Sequence, residues 1–294
     1  MESGISVRNL DLSFARSLLM KINRFTLWGL LLQNICYAIT IPLYCAIHLL
    51  TSPTSKSGKS EASVSDYIAP TRSLAMIPFS VLVGYTVPSV LMCLSRFSNE
   101  THQYLVAFWQ AFPIWMIIAQ YTGQGAMALF TSSSDEAIAK WRTNPQYRKT
   151  LRWTYALAFL LSTVIHITTM ANLLAPTIQS AIYGVTTIQR PSFEEVFMPP
   201  RPDSTTHIVI FAQGAHNFLQ YDEYVGTAAV MIWVITLYAN ACKREGVSKG
   251  YLSTFMKISG LCLFTGLGGT VVALIWDRDE MVLDGEDQKA KKQQ

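Results

Sequence analysis

This sequence is short of charge. Asp, Glu, Lys and Arg make up 14% of its 294 residues, where soluble domains carry about 25%, and that deficit excludes an ordinary water-soluble globule. Its acids are never gathered into a DDxxD, NDxxSxxxE or DxDD run. The first two absences argue against magnesium-assisted ionisation of a diphosphate, and no metal or other cofactor is expected. Cysteine is sparse as well. Cys36, Cys45, Cys93, Cys242 and Cys262 stand apart with no CxxC pair, so they indicate neither a disulfide framework nor a zinc site and read as packing residues. His48, His166 and His216 lack the paired spacing of haem ligands. The net charge of +4 does not imply nucleic acid, because basic residues such as Arg148, Lys149 and Arg152 flank apolar segments, as residues facing lipid headgroups do.

Apolar length takes the place of charge. Half the residues are hydrophobic and the mean hydropathy is +0.26. Seven windows contain no Asp, Glu, Lys or Arg: Phe25–Ser55, Ser73–Ser95, Thr101–Ser134, Trp153–Gln189, Ser204–Tyr221, Tyr224–Cys242 and Ile258–Trp276. A helix crossing the hydrocarbon core needs roughly 20 mostly apolar residues. Most windows qualify; Ser204–Tyr221, shorter and more polar, reads as a tilted span, a half-span or an interfacial helix. The expectation is an all-α polytopic membrane bundle in one domain, with six or seven spans over residues 25–276. Residues 1–24, with Arg8, Arg16, Lys21 and Arg24 among apolar positions, suit an interfacial amphipathic helix. The following window is too long for a signal-peptide core and reads as an anchor. Residues 277–294 are expected to form a charged C-terminal tail. Its end, Lys291-Lys292-Gln293-Gln294, resembles a dilysine retrieval signal of the endoplasmic reticulum read from the cytosol; a solvated tail is the plainer reading. Counts of Lys and Arg differ by one residue between the two sides and do not orient the chain.

Between the windows, Thr51–Arg72 reads as an exposed loop. Thr131–Arg152 reads as a basic connection with a short helix around Asp135–Trp141. The four prolines of Pro191–Asp203 argue for a folded surface loop. Polar residues inside spans should point inward. Gln120 and Gln124 are four apart; Ser162, His166 and Thr169 share one helix face; Gln33, Asn34 and Tyr37 lie within about one turn. Each set can serve interhelical hydrogen bonding alone; together they suggest a polar pocket, with Gln120 and His166 as candidate ligand contacts. In "FWQAFPIW", helical spacing puts Phe108, Phe112 and Trp115 on one face beside Trp109. These aromatics suit an interfacial belt, or a cavity wall whose π-faces stabilise a cation.

The stretch "HNFLQYDEYVG" (His216–Gly226) is the anomaly. Between Ser204 and Cys242 its Asp222 and Glu223 are the sole formal charges. If the segment is helical, Gly226 lies one turn beyond Asp222 on the same face, leaving room for a ligand against the carboxylate. Glu223 shares a face with Leu219 and His216 if the helix extends backwards. Tyr221 and Tyr224 flank the pair and complete the candidate contacts. A desolvated carboxyl group stays protonated near neutral pH and can protonate a weakly basic alkene or epoxide. Two carboxylates solvated at a span boundary are the bland alternative.

Four stretches carry a resemblance: "PLYCAIHLLTSPTS" (Pro42–Ser55), "VGYTVPSVLM" (Val83–Met92), "AFWQAFPIW" (Ala107–Trp115) and "HNFLQYDEYVGTAAVMIW" (His216–Trp233). Spread over the chain, they resemble the small integral-membrane terpene cyclases of fungal meroterpenoid pathways, of the type making ascochlorin-, ascofuranone- and macrophorin-like compounds. The resemblance implies a bundle of about seven or eight helices, widening the expectation to six to eight. It also implies acid-initiated cyclisation of a prenyl chain, farnesyl by expectation, on a phenol or polyketide-derived headgroup. Asp222 best matches the late intramembrane acid of such enzymes, and Glu223 is the nearby second candidate. The early-span acid of better-known relatives has no counterpart in the first two windows. A sterol-type double-bond isomerase and a small transporter or receptor are the rival readings; no internal inverted repeat supports a carrier.

Overall fold

Glycine and proline mark most, but not all, of the bends in the apolar windows. The computed structural model describes residues 27–57, 66–94, 96–130, 145–183, 192–201 and 210–292. The expected amphipathic segment 1–24 and the short helix around Asp135–Trp141 lie outside the described residues. The first window is two helices, α1 (27–35) and α2 (Tyr37–Thr51), separated at Cys36, whose φ of 140° no helix accommodates. The second forms α3 (Thr71–Cys93), which widens into a π-turn at Leu82–Thr86. Pro88, with no N–H for the carbonyl one turn back, follows directly. The third is α4 (Asn99–Gln110) and α5 (Phe112–Phe130), bent by 63° around Ala111 with Pro113 just beyond. Then come α6 (Pro145–Tyr183), α7 (Phe193–Phe197), α8 (Phe211–Glu245) and α9 (Tyr251–Lys292).

These helices fall into two compact units, residues 1–36 with 76–132 and residues 37–75 with 133–294. In the first, small residues admit close helix approach. A Cβ on Gly84 would sit 2.6 Å from Met116 Cα, and one on Gly123 would sit 2.8 Å from Met76 Sδ.

In the second unit α2 and α8 run parallel with a constant offset of 185 residues. Tyr37 N–H meets Asp222, His48 accepts from Trp233 Nε1 at 3.1 Å, and Ser55 O accepts from Asn240 Nδ2 at 2.7 Å. Helix α8 ends in a Schellman turn: Gly246 takes φ 69° and Val247 N–H reaches Cys242 O at 2.9 Å.

Helix α9 folds back on itself. At Gly266 the backbone turns to φ 71°, ψ 178°, a conformation that only glycine adopts readily. Lys257 Nζ then lies 2.6 Å from Asp277 Oδ2, although twenty residues of straight helix would separate them by about 30 Å. Thr270 Oγ1 reaches Cys262 Sγ at 3.4 Å across the same turn. The tip seats on α6. His166 Nε2 bonds Leu263 O at 3.0 Å, and a Cβ on Gly266 would lie 2.7 Å from His166 Nδ1. Residues 277–292, expected as a tail, continue the helix and bury Val282 and Leu283. Leu283 packs with Ile68, Leu74, Tyr147 and Leu151. Around them Arg148 pairs with Asp284 and Asp287 at 2.7 and 2.8 Å, and Arg152 with Glu280 at 2.7 Å. Arg244 pairs with Glu245 at 3.0 Å.

The fold class is all-α, as expected. By length and composition, four described helices can cross a membrane, or five if the bent α4–α5 pair counts as one span. That number is of the described residues; the expectation of six to eight is for the whole chain. The window Tyr224–Cys242 and the part of Ser204–Tyr221 from Phe211 on lie together in α8, and the first window is broken at Cys36.

Candidate functional site

The acidic pair lies on an unbroken helix. Helix α8 starts at Phe211, so it does extend backwards, and His216, Leu219 and Glu223 share a face. From Lys243, where charge resumes, back to Glu223 is twenty residues, or about 30 Å of helix. That length matches the roughly 30 Å thickness of a hydrocarbon core.

Asp222 is half-buried, and both its oxygens accept from the start of α2. Ala38 N–H donates to Oδ1 at 2.7 Å and Tyr37 N–H to Oδ2 at 3.2 Å. Breaking an apolar helix at Cys36 leaves orphan N–H groups at the new N-terminus. A carboxylate is the side chain that suits them best, by hydrogen bond and by helix dipole.

Glu223 is exposed and differently engaged. Its Oε1 accepts from Thr227 Oγ1 at 2.7 Å, and the Thr227 hydroxyl faces the Tyr37 phenol. Among the described residues Oε2 has no partner. Tyr37, Thr227 and Glu223 thus form a hydroxyl–carboxyl chain beside Asp222. Sequence reading placed Tyr37 only in a first-window polar cluster and passed over Thr227, which is buried.

The room expected beside Gly226 is filled. A Cβ there would lie 2.8 Å from Tyr37 Cγ and closer still to Cδ1 and Cε1. The missing side chain admits the phenol ring, not a ligand. Tyr221 and Tyr224 do not face each other across the pair. Their hydroxyls donate to Pro200 O and Phe197 O, while Gln220 Nε2 donates to Glu195 O and Val196 O at 2.6 and 2.8 Å. These side chains tie down residues 192–201, where Ser192 and Glu195 close a capping box on α7. The proline-rich stretch is therefore the folded segment expected, and it lies against this end of α8. His216 is exposed and makes no hydrogen bond among the described residues.

The other candidates have contacts of their own. His166 holds the turn of α9, so its polar face serves helix packing. Trp109, Phe112, Trp115 and Gln120 belong to the first unit. The bend at Ala111 undoes the single face expected there. Phe108 stacks on Trp115 at 4.7 Å, whereas Phe112 meets Tyr85 edge-on at 5.1 Å. Trp109 Nε1 donates to Ser89 Oγ at 2.8 Å. Among the described residues no three His, Cys, Asp or Glu side chains converge as a metal ligand set would.

The profile of the CtvD domain family matches residues 16–283. The terpene cyclase ascI of Acremonium egyptiacum is 30% identical over 279 residues, covering 90% of this chain and 65% of its own. The terpene cyclase ctvD of Aspergillus terreus is 25% identical, covering 87% of this chain and 67% of its own. The terpene cyclase atmA of Aspergillus flavus is 24% identical, covering 91% and 68%. The chain thus spans about two thirds of the length of these curated relatives. No solved structure matches it significantly.

Proposed function

Because this chain belongs to the CtvD domain family, we propose that it is a membrane-bound terpene cyclase. It protonates the terminal epoxide or alkene of a farnesyl-type chain on a phenol or polyketide-derived headgroup. Internal double bonds then attack the cation and close the rings, and loss of a proton ends the cascade. The names of the relatives support the reaction class, and the long apolar helices support a membrane setting. The endoplasmic reticulum, with Lys291 and Lys292 on the cytosolic side, is the proposed address.

The observation that carries the chemistry is the coupled pair of carboxyl groups where a broken apolar helix restarts. Irregular backbone at membrane depth persists where protein or a cavity satisfies it, and ionisable residues in such segments are functional by default. The two acids divide the work. Asp222, with both oxygens on backbone N–H groups, fixes the start of α2. Glu223, with Oε2 unoccupied, presents the proton. The Thr227 hydroxyl holds Oε1 and links it to Tyr37, so a proton lost from Glu223 is replaced along that chain. The reaction is an isomerisation: the final cation loses its proton to water, and an equivalent proton re-enters Glu223 from water through Tyr37 and Thr227.

Microsomes carrying the full chain, given a farnesyl phenol and its terminal epoxide, test this by the appearance of a cyclised isomer of unchanged mass. Glu223→Gln should cut the rate at least about 100-fold, the lower end of a general acid's contribution, while staying folded in the membrane. Asp222→Asn should lower both stability and rate. Full turnover by E223Q removes Glu223 as the acid. A folded but inactive D222N beside an active E223Q moves the role to Asp222.

A further inference from the structure

The folded-back α9 leaves a second feature at the opposite end of α8. Between its two limbs and α6 lies an open cavity of about 360 Å³, within the range of about 300–1,000 Å³ for small-molecule sites. Phe159, Leu261, Ala273 and Trp276 make its apolar wall; Lys257, Asp277 and Glu280 make its polar side. Tyr238, which bonds Asp277 at 2.7 Å, is sixteen residues from Asp222, about 24 Å along the helix. The cavity is therefore separate from the acidic pair.

Depth follows from the fold-back. Lys257 immediately precedes the charge-free run Ile258–Trp276 and Asp277 immediately follows it, and the turn at Gly266 brings both to one level. Apolar wall lies on the bilayer side of that level and charge on the water side, which is the gradient of the headgroup boundary. At Asp277 the charges do not balance. Glu280 is neutralised by Arg152 through two bonds at 2.7 and 2.9 Å. Lys249 and Lys257 both converge on Asp277 Oδ2, at 3.1 and 2.6 Å, so one positive charge is left over. Lys257 carries three N–H donors and spends one on Asp277.

We infer that this cavity binds an anionic single-chain amphiphile, its head on Lys257 and its hydrocarbon along Phe159, Leu261 and Ala273. The inference does not depend on the cyclase reading. It is tested by equilibrium binding of dodecyl phosphate, and of dodecanol as the uncharged control, to the full chain in phosphatidylcholine nanodiscs. One molecule of dodecyl phosphate per chain should bind saturably and at least about tenfold more tightly than dodecanol. Lys257→Met should remove that preference without affecting dodecanol. Ala273→Phe, filling the cavity, should abolish both. Competition by phosphatidylglycerol placed in the nanodisc identifies an acidic lipid as the natural source; absence of competition identifies a free amphiphile. Equal binding of phosphate and alcohol by the unmodified chain overturns the inference even if the variants misfold. So does unchanged affinity in a folded K257M.

Discussion

Replacing Gly226 by alanine separates an open site from a filled one by the sign of the stability change. Were the space beside Gly226 open, alanine would stabilise α8 by about 0.8–1.0 kcal/mol, the helix-propensity difference. In this structure the new Cβ would lie 2.8 Å from Tyr37 Cγ and nearer to two other ring carbons, against about 3.5–4.0 Å for a comfortable carbon–carbon contact. The ring must retreat by an ångström or so. It cannot do so freely, because Tyr37 also supplies the N–H that meets Asp222 at 3.2 Å and the hydroxyl that meets Thr227. Overpacking of this kind costs about 1–3 kcal/mol, and losing a hydrogen bond to a charged group about 1.5–3 kcal/mol. The net expectation for Gly226→Ala is destabilisation by about 1–3 kcal/mol. Cys45 on α2 is buried, so a thiol-reactive fluorophore reports opening of the α2–α8 contact during thermal unfolding in detergent. Tyr37→Ala in the G226A background removes the clash, and the double-mutant cycle should show a coupling of about 1 kcal/mol or more. A neutral or stabilising G226A, or additivity with Y37A, would refute the packing argument.

The fold-back of α9 predicts that Tyr251→Cys and Gln288→Cys are labelled by an impermeant maleimide from the same side of sealed vesicles, above the signal of the native chain; labelling from opposite sides would mean that α9 crosses. Arg244→Met removes the ion pair to Glu245 at 3.0 Å and the bond to the Tyr67 hydroxyl at 2.7 Å, leaving Glu245 with Lys289 at 3.6 Å, and should lower stability by about 1.5–3 kcal/mol; an unchanged midpoint of thermal unfolding would contradict that. Two groups outside the spans set an alkaline limit. Burial pulls Lys249 down, but hydrogen bonds to Tyr238 and Asp277 outweigh it and hold the ammonium above the ordinary value of 10.5. Burial also raises the Tyr67 phenol above 10.0. A group whose folded value is raised contributes stability below its unfolded value and loses it as pH climbs through the folded one. Stability should therefore hold to about pH 10 and fall above it, and K249M and Y67F should each flatten that limb of a pH–unfolding series.

The class of fold was legible because charge is the costliest commodity in a bilayer and its absence shows in composition. Span number was not. The run Ile258–Trp276 has the length and hydropathy of a crossing helix, and nothing in its composition reveals that Gly266 turns back. What reveals it is pairing at a distance: Lys257 with Asp277, His166 with Leu263 O. The same limit explains Cys36, an unremarkable residue whose helix break becomes apparent once Asp222 is seen to satisfy the restarted helix. A charged residue 185 positions away is a tertiary fact.

The polar residues inside apolar windows divide by what they satisfy. His166 and Ser162 face glycines of α9, and His166 supplies the bond to the Leu263 carbonyl freed by the turn. Asp222 is similar, a carboxylate spent on two N–H groups, and its replacement by asparagine should cost structure before it costs chemistry. Glu223 differs because half its capacity is unused while the other half is tied to a buried threonine and a tyrosine. Thr227→Val keeps the shape of the side chain and severs that link. In an enzyme whose acid is Glu223, T227V should leave the fold intact, retain single-turnover protonation and slow repeated turnover. A variant as fast as the native chain over many turnovers would show that the Tyr37–Thr227 chain does not resupply the proton, and would confine the site to the carboxyl group itself.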